Sequence, residues 1–188
     1  MIRRTITALT VAGILGGLVV ATAVAKAGSL PSELQAVRSA VASYHSYDQA
    51  LADGYSAAGE PCVAEPGLGT MGIHAVNYDL LASGANDPLR PPILLYVPRD
   101  DGSLRLVGVE YFMVALANPE TGPAPWFASD PPPLGFFNPA PSIFGQTFDG
   151  PMPGHNPAMP WHYDLHAWVV EENPSGIFAP FNPALSCS

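Results

Sequence analysis

The feature that most limits how this chain can fold is a pair of apolar runs with a turn between them. "PILLYVP" (92–98) and "SLRLVGVEYFMVAL" (103–116) flank Arg99-Asp100-Asp101-Gly102. Two runs rich in branched and aromatic residues, joined by a glycine-bearing turn, predict an antiparallel hairpin. Strict alternation puts Leu104, Leu106, Phe112 and Val114 on the side of Glu110, and Val107, Val109, Tyr111 and Met113 on the other. Both sides are apolar, so the second strand must be covered on both faces. An ionised Glu110 in such a strand costs several kcal/mol unless it is paired, hydrogen-bonded or bound to a metal. Three explanations stand side by side: a buried pair with Arg38 or Arg90, a neutral glutamic acid with a raised pKa, or a functional carboxylate. Arg105 is expected on the opposite face of the same strand.

"PWHYDLHAWVV" (160–170) reads as a third strand. Tryptophan and valine favour a strand over a helix, and Asn173-Pro174 ends it. His162, Asp164, His166 and Trp168 then share one face, with Trp161, Tyr163, Leu165, Ala167 and Val169 on the other. Four residues along a strand separate the two histidine Cα atoms by roughly 13 Å, near the limit for sharing one ion. A bulge would bring them together. Otherwise one binds a metal and the other a substrate or the core, with Asp164 orienting one imidazole.

Around these strands the pattern predicts an α+β fold. An N-terminal helix packs on a small, mainly antiparallel sheet or partial barrel, with long proline- and glycine-rich loops. The helix runs from Ser32 to about Asp53, with a Ser32/Gln35 capping box, a stop at Gly54, and Leu34, Val37, Val41, Tyr44 and Leu51 on its apolar face. His45 reads as a surface residue at the margin of that face. Residues 56–75 read as loop, followed by a short helix over Asn77 to Ala82. The proline-rich stretch from Asn118 to Pro160 carries Phe127, Phe136, Phe137, Ile143, Phe144 and Phe148, too apolar for disorder, and predicts an ordered wrap over the core.

The chain opens as an export signal. Arg3 and Arg4 precede an uncharged apolar run, Ile6 to Val24, and Ala25-Lys26-Ala27 offers a cleavage site. Residues 1–27 are thus expected to be a signal peptide, with retention as an anchor the alternative, and 28–188 a single domain. Of the seven basic residues, Arg3, Arg4 and Lys26 fall in the signal, leaving four against sixteen acidic ones, a net of −12. No lysine remains, so nucleic acid and anionic membrane surfaces are poor partners. No integral membrane role is expected once the signal is cleaved. Cys62 and Cys187, the two cysteines, are expected to form one disulfide in an exported protein.

Five histidines are few, and four of them lie where chemistry is plausible. His74 ends the glycine-rich "GLGTMGIH", placed to point inward or to sit in the core against a backbone carbonyl. The candidate metal ligands are His74, Glu110, His162 and His166, with Asp164 and His155 as acid–base or supporting groups. Two or three imidazoles with one carboxylate suit zinc first, and also iron, manganese or copper. The chain has no H-E-x-x-H, C-x-x-C, G-x-S-x-G or P-loop pattern. A Glu110/Asp164 pair of the glycosidase kind is a further arrangement.

"GTMGIHAVN", "LRLVGVEYF", "IFGQTFDGPMPGHNP" and "PWHYDLHAWVV" resemble the M-G-x-H, V-E-Y-F and H-Y-D-L-H-x-W blocks of a family of small exported bacterial proteins without an assigned activity. The resemblance places His74, Glu110, His155, His162 and His166 in the motif blocks. Ala75 departs from it, standing where the family pattern has an aromatic residue; a pocket lined at that position would be roomier or bind more weakly. Two function classes follow. One is an exported metalloprotein acting on a small molecule; if an enzyme, it is a metal-dependent hydrolase or lyase. The other is a non-enzymatic binding module of the cell envelope for a small ligand or a cofactor such as haem. A buried polar network that only specifies the fold is the third.

Overall fold

Three short α-helices and eight strands follow one another in the computed structural model, which describes residues 30–115, 138–155 and 159–188. The helices are α1 (Ser32–Ala40), α2 (Tyr47–Ala52) and α3 (Tyr78–Ser83). The strands are β1 (Cys62–Glu65), β2 (Gly69–Val76), β3 (Ile93–Pro98), β4 (Leu104–Val114), β5 (Ser142–Ile143), β6 (Gln146–Thr147), β7 (Asp149–Met152) and β8 (His162–Ala167). Six of them form one antiparallel sheet in the order β1-β2-β3-β4-β8-β7, curled into a half-barrel, while β5 and β6 make a separate ribbon. The architecture is α+β. The expected signal segment, 1–27, and Phe127, Phe136 and Phe137 lie outside the described residues.

The β3–β4 hairpin closes through a turn in which Gly102 N donates to Arg99 O and Arg99 N to Ser103 O, both at 2.8 Å. Gly102 has φ 80, a backbone that a glycine adopts without penalty. Further along, Leu95 pairs with Gly108 but Tyr96 pairs with Leu106, so Val107 is an extra residue. This bulge corrects the strict alternation. Leu104 and Leu106 pack on the helix side of the sheet with Val109, Tyr111 and Met113, whereas Val107, Phe112 and Val114 pack on the side of Glu110. Arg105, pairing with Val97 of the Glu110-side cluster, also changes face and pairs with Glu171.

Residues 56–75 were expected as loop, yet β1 and most of β2 lie there. Glycine hides the strand from a pattern search but permits it: Gly72 has φ 103, and a Cβ there would stand 2.5 Å from Tyr96 O. The disulfide Cys62–Cys187 forms and ties β1 to the end of the chain. Asn182 bridges the tail to Thr70 on β2 through two backbone hydrogen bonds of 3.0 and 3.1 Å.

The expected helix over 32–53 is broken. Residues Ala42–His45 tighten into a 3-10 turn, and Ser46 caps α2 by accepting from Gln49 N. The cap of α1 is Pro31 without a side-chain bond, so the Ser32 capping box does not form. The break moves Leu51 out to 47 % exposure and places Ala50 in the core instead. Leu34, Val37 and Val41 pack with Tyr55, Tyr96, Val109, Tyr111 and Leu165 in the helix-side core, joined by Phe148, Ile143 and Phe144 from the proline-rich stretch. His45 is exposed. Asn77 caps α3 by accepting from Leu80 N at 3.1 Å, and Gly84, φ 64, ends it. Among the described residues no helix is long and apolar enough to cross a membrane.

Candidate metal centre

The other face of the sheet carries the polar residues. β8 pairs with β4 without interruption, so Glu110 stands opposite His166, Phe112 opposite Asp164 and Val114 opposite His162. The expected division of β8 holds. Tyr163, Leu165, Ala167 and Val169 enter the helix-side core, and Trp168 packs on the far side with Phe112. His74 comes from β2, opposite Leu95 of the intervening β3, and so lies within a strand rather than at the end of a loop. Four of these side chains are sealed from solvent: Glu110, His162, Asp164 and His166 are each at most 1 % exposed.

Two groups of donor atoms result. In the first, His74, Glu110 and His166 bring one ligand atom each within 4.8 Å of the others. His74 Nε2 lies 3.0 Å and His166 Nε2 3.8 Å from Glu110 Oε2. These separations straddle the edge of about 3.3–3.6 Å between ligand atoms on a tetrahedral ion with bonds of about 2.0–2.2 Å. In the second, His155, His162 and Asp164 meet the same 4.8 Å condition. His162 and His166 thus fall into different groups. With no bulge in the β4–β8 pairing, Asp164 sits between them, Oδ2 at 3.5 Å from His162 Nε2 and Oδ1 at 3.9 Å from His166 Nδ1.

Hydrogen bonding leaves this cluster incomplete. Among the described residues, Glu110 Oε2, His162 Nε2, Asp164 Oδ1 and both ring nitrogens of His166 are buried without a hydrogen-bond partner. Buried polar atoms are satisfied in the great majority of cases, and each orphan costs about 1–3 kcal/mol. An ion that accepts several lone pairs at once would satisfy most of them.

The electrostatics agree. Burial opposes the charge on Glu110, but His74 and His166 outweigh it and hold the carboxyl below its ordinary 4.5. Burial likewise opposes a charge on His74, yet Glu110 beside it prevails and raises its pKa above 6.5. Burial, followed by the neighbouring His74, lowers that of His155. Among the described residues the ion-pair partners of Glu110 are His74 and His166, not Arg38 or Arg90, and its pKa moves down rather than up. Both of the ordinary explanations for a buried glutamate are thereby replaced. His74, too, faces a carboxylate and not a backbone carbonyl.

A cavity of about 220 Å³ opens on the first group. His74, Glu110 and His155 form its polar end; Val63, Val76, Leu81, Ile93, Phe112 and Met159 supply apolar wall. Glu60 also lines it. Neither Glu60 nor Met159 stands out in the sequence; the tie of β1 through Cys62 is the available signal for the first. Ala75 is buried in the helix-side core and does not line the cavity. The volume is below the usual range of about 300–1,000 Å³ for ligand pockets and too small to enclose a porphyrin. Glu110 and Asp164 are diagonal neighbours on β4 and β8, but His166 lies within 3.8 Å of one and 3.9 Å of the other. The space that a sugar would need between two carboxylates is filled. Comparison with protein-family models, with curated proteins and with solved structures finds no match.

Proposed function

We propose that the chain is an exported protein that binds a divalent transition-metal ion through His74, Glu110 and His166 and presents it to a small molecule in the adjoining cavity. The observation that carries this reading is the convergence of three buried donor atoms within 4.8 Å, most of them without hydrogen bonds. Two imidazoles and one carboxylate form a ligand set common for zinc, and three protein ligands leave a coordination position for water or substrate. His74 and Glu110 line the cavity and His166 does not, so an ion held by the three would be reached from the cavity. An ion there supplies Lewis-acid chemistry suited to hydrolysis or elimination. Asp164 faces the second ring nitrogen of His166 and would fix its tautomer, while His155 stands at the polar end as an acid–base group. Export is supported by the charged and apolar opening of the chain and by the Cys62–Cys187 disulfide. The M-G-x-H, V-E-Y-F and H-Y-D-L-H-x-W blocks contain every residue of the first group, and we take them as the family's site.

Elemental analysis of protein prepared without chelator or affinity metal tests the reading. At least one equivalent of metal is expected in the native protein and a loss in Glu110→Gln. Native protein that stays metal-free after incubation with zinc, iron, manganese and copper would sink it.

A further inference from the structure

We infer that His155, His162 and Asp164 form a second divalent-cation site, adjoining the first and sharing Asp164 with it; with that site filled, His155 serves as its ligand in place of the acid–base role. This deepens the proposed function and rests on that reading for the double role of Asp164. The second site itself stands on separate residues.

The key is the tautomer of His162. Its Nδ1 lies 3.0 Å from Pro160 O. A carbonyl oxygen can only accept, so Nδ1 carries the hydrogen and, in the neutral ring, Nε2 is left as a bare lone pair. That lone pair faces another acceptor, Asp164 Oδ2, at 3.5 Å. Two such atoms facing each other in a site sealed to 0 % and 1 % exposure suit a cation between them. Their separation of 3.5 Å matches the edge between two ligands of one tetrahedral ion, about 3.3–3.6 Å. Among the described residues Nε2 of His162 also has no hydrogen-bond partner.

The remaining parts fit the same purpose. Phe112 stacks on the His162 ring at 4.6 Å and holds its plane. His155 approaches from the loop, its ring 6.0 Å from His162 and 6.0 Å from His74, and so stands over both groups. Asp164 turns Oδ2 toward His162 and Oδ1 toward His166, serving one group with each oxygen. Charge favours two ions as well. Glu110 and Asp164 are buried together, Glu60 lines the cavity, and no lysine or arginine does. The ligand class is a borderline divalent cation that accepts imidazole nitrogen and carboxylate oxygen, with zinc as the reference.

Zinc titration read by native mass spectrometry separates the sites, with circular dichroism to confirm that each variant is folded. His155→Ala is the informative variant because His155 lies on a loop outside the sheet and its loss leaves the core intact. The native protein is expected to take two zinc ions. His155→Ala should keep the first and weaken the second by more than about 100-fold, beyond the loss typical of an outer-shell change. Glu110→Gln should do the reverse. A single ion that survives His155→Ala and is lost in Glu110→Gln overturns the second site and leaves the proposed function standing. A single ion lost in His155→Ala and kept in Glu110→Gln supports the second site and refutes the first. One ion weakened in both variants means that the two groups share it, which also overturns the inference, and no zinc at all overturns both readings.

Discussion

The two faces of the sheet are built from the same strands and treat polar groups in opposite ways. On the helix side, Tyr55, Tyr96 and Tyr111 are buried in the core, yet each hydroxyl donates to a backbone carbonyl, of Pro91, Tyr44 and Pro88, at 2.7 to 2.8 Å. On the other side, one residue along β4 from Tyr111, Glu110 begins a cluster in which five buried atoms have no hydrogen-bond partner among the described residues. The hydroxyls of the first face are satisfied by the chain itself. Those five atoms of the second are not. At about 1–3 kcal/mol for each orphan, the apolar face must supply the stability that the polar face withholds.

Three substitutional or solution tests bear on that contrast. The largest effect belongs to the helix side: Leu165→Ala, at a position 1 % exposed, should cost about 2–5 kcal/mol in denaturant unfolding while the folded fraction keeps its zinc stoichiometry. If Leu165→Ala removed zinc, the two faces would not be independent. A middle effect comes from paired changes. Tyr96→Phe orphans the Tyr44 carbonyl and should cost about 1–1.5 kcal/mol. At a pH above the raised pKa of His74, where the ion pair has faded, Glu110→Gln in chelator-stripped protein should cost less than about 1 kcal/mol, because the amide N–H can donate to the unpartnered His166 Nε2. Equal, large losses in both would show that the polar face is a finished structural network.

The finest test is pH. Glu110 has its pKa depressed from 4.5 by the two imidazoles, so its contribution is present above 4.5 and fades as the pH falls through the lowered value. His74 has its pKa raised from 6.5 by Glu110, so its contribution is full below 6.5 and fades as the pH rises through the raised value. Metal-free protein should therefore gain most from this pair between pH 4.5 and 6.5. Zinc should reverse the trend on the alkaline side, stabilising more as the imidazoles lose their protons. Thermal unfolding across pH 4 to 8, with and without zinc, reads both; a flat metal-free profile in native protein would contradict the pairing of His74 with Glu110.

Much of the site was legible because β-strand alternation is local. The faces of β8 follow from its own residues, and so does the placing of His162, Asp164 and His166 together. The hairpin and the disulfide were legible for the same reason: turn chemistry and a count of two cysteines need no distant partner. Other features were not. Val107 looks like any strand residue, and only its pairing across β3 shows it to be a bulge that swaps Leu104 and Leu106 to the helix side. β2 was masked by Gly69 and Gly72, whose value lies in the close approach of Asn182 and Tyr96 backbone atoms. The run from Ser32 to Asp53 has helical spacing throughout, but the contacts of Tyr44 and Ser46 break it.

By itself, then, the sequence determined which side chains are polar in apolar surroundings and which of them share a strand face. Tertiary structure decided how they combine. His162 and His166, four residues apart on one strand, stand roughly 13 Å apart at Cα, too far to meet easily at one ion. Each imidazole instead completes its group from neighbouring strands and loops. His166 therefore joins Glu110 of β4 and His74 from beyond β3, whereas His162 turns to Asp164 and to His155 on the loop. Register and strand order, which no local pattern carries, divide one histidine-rich strand between two groups.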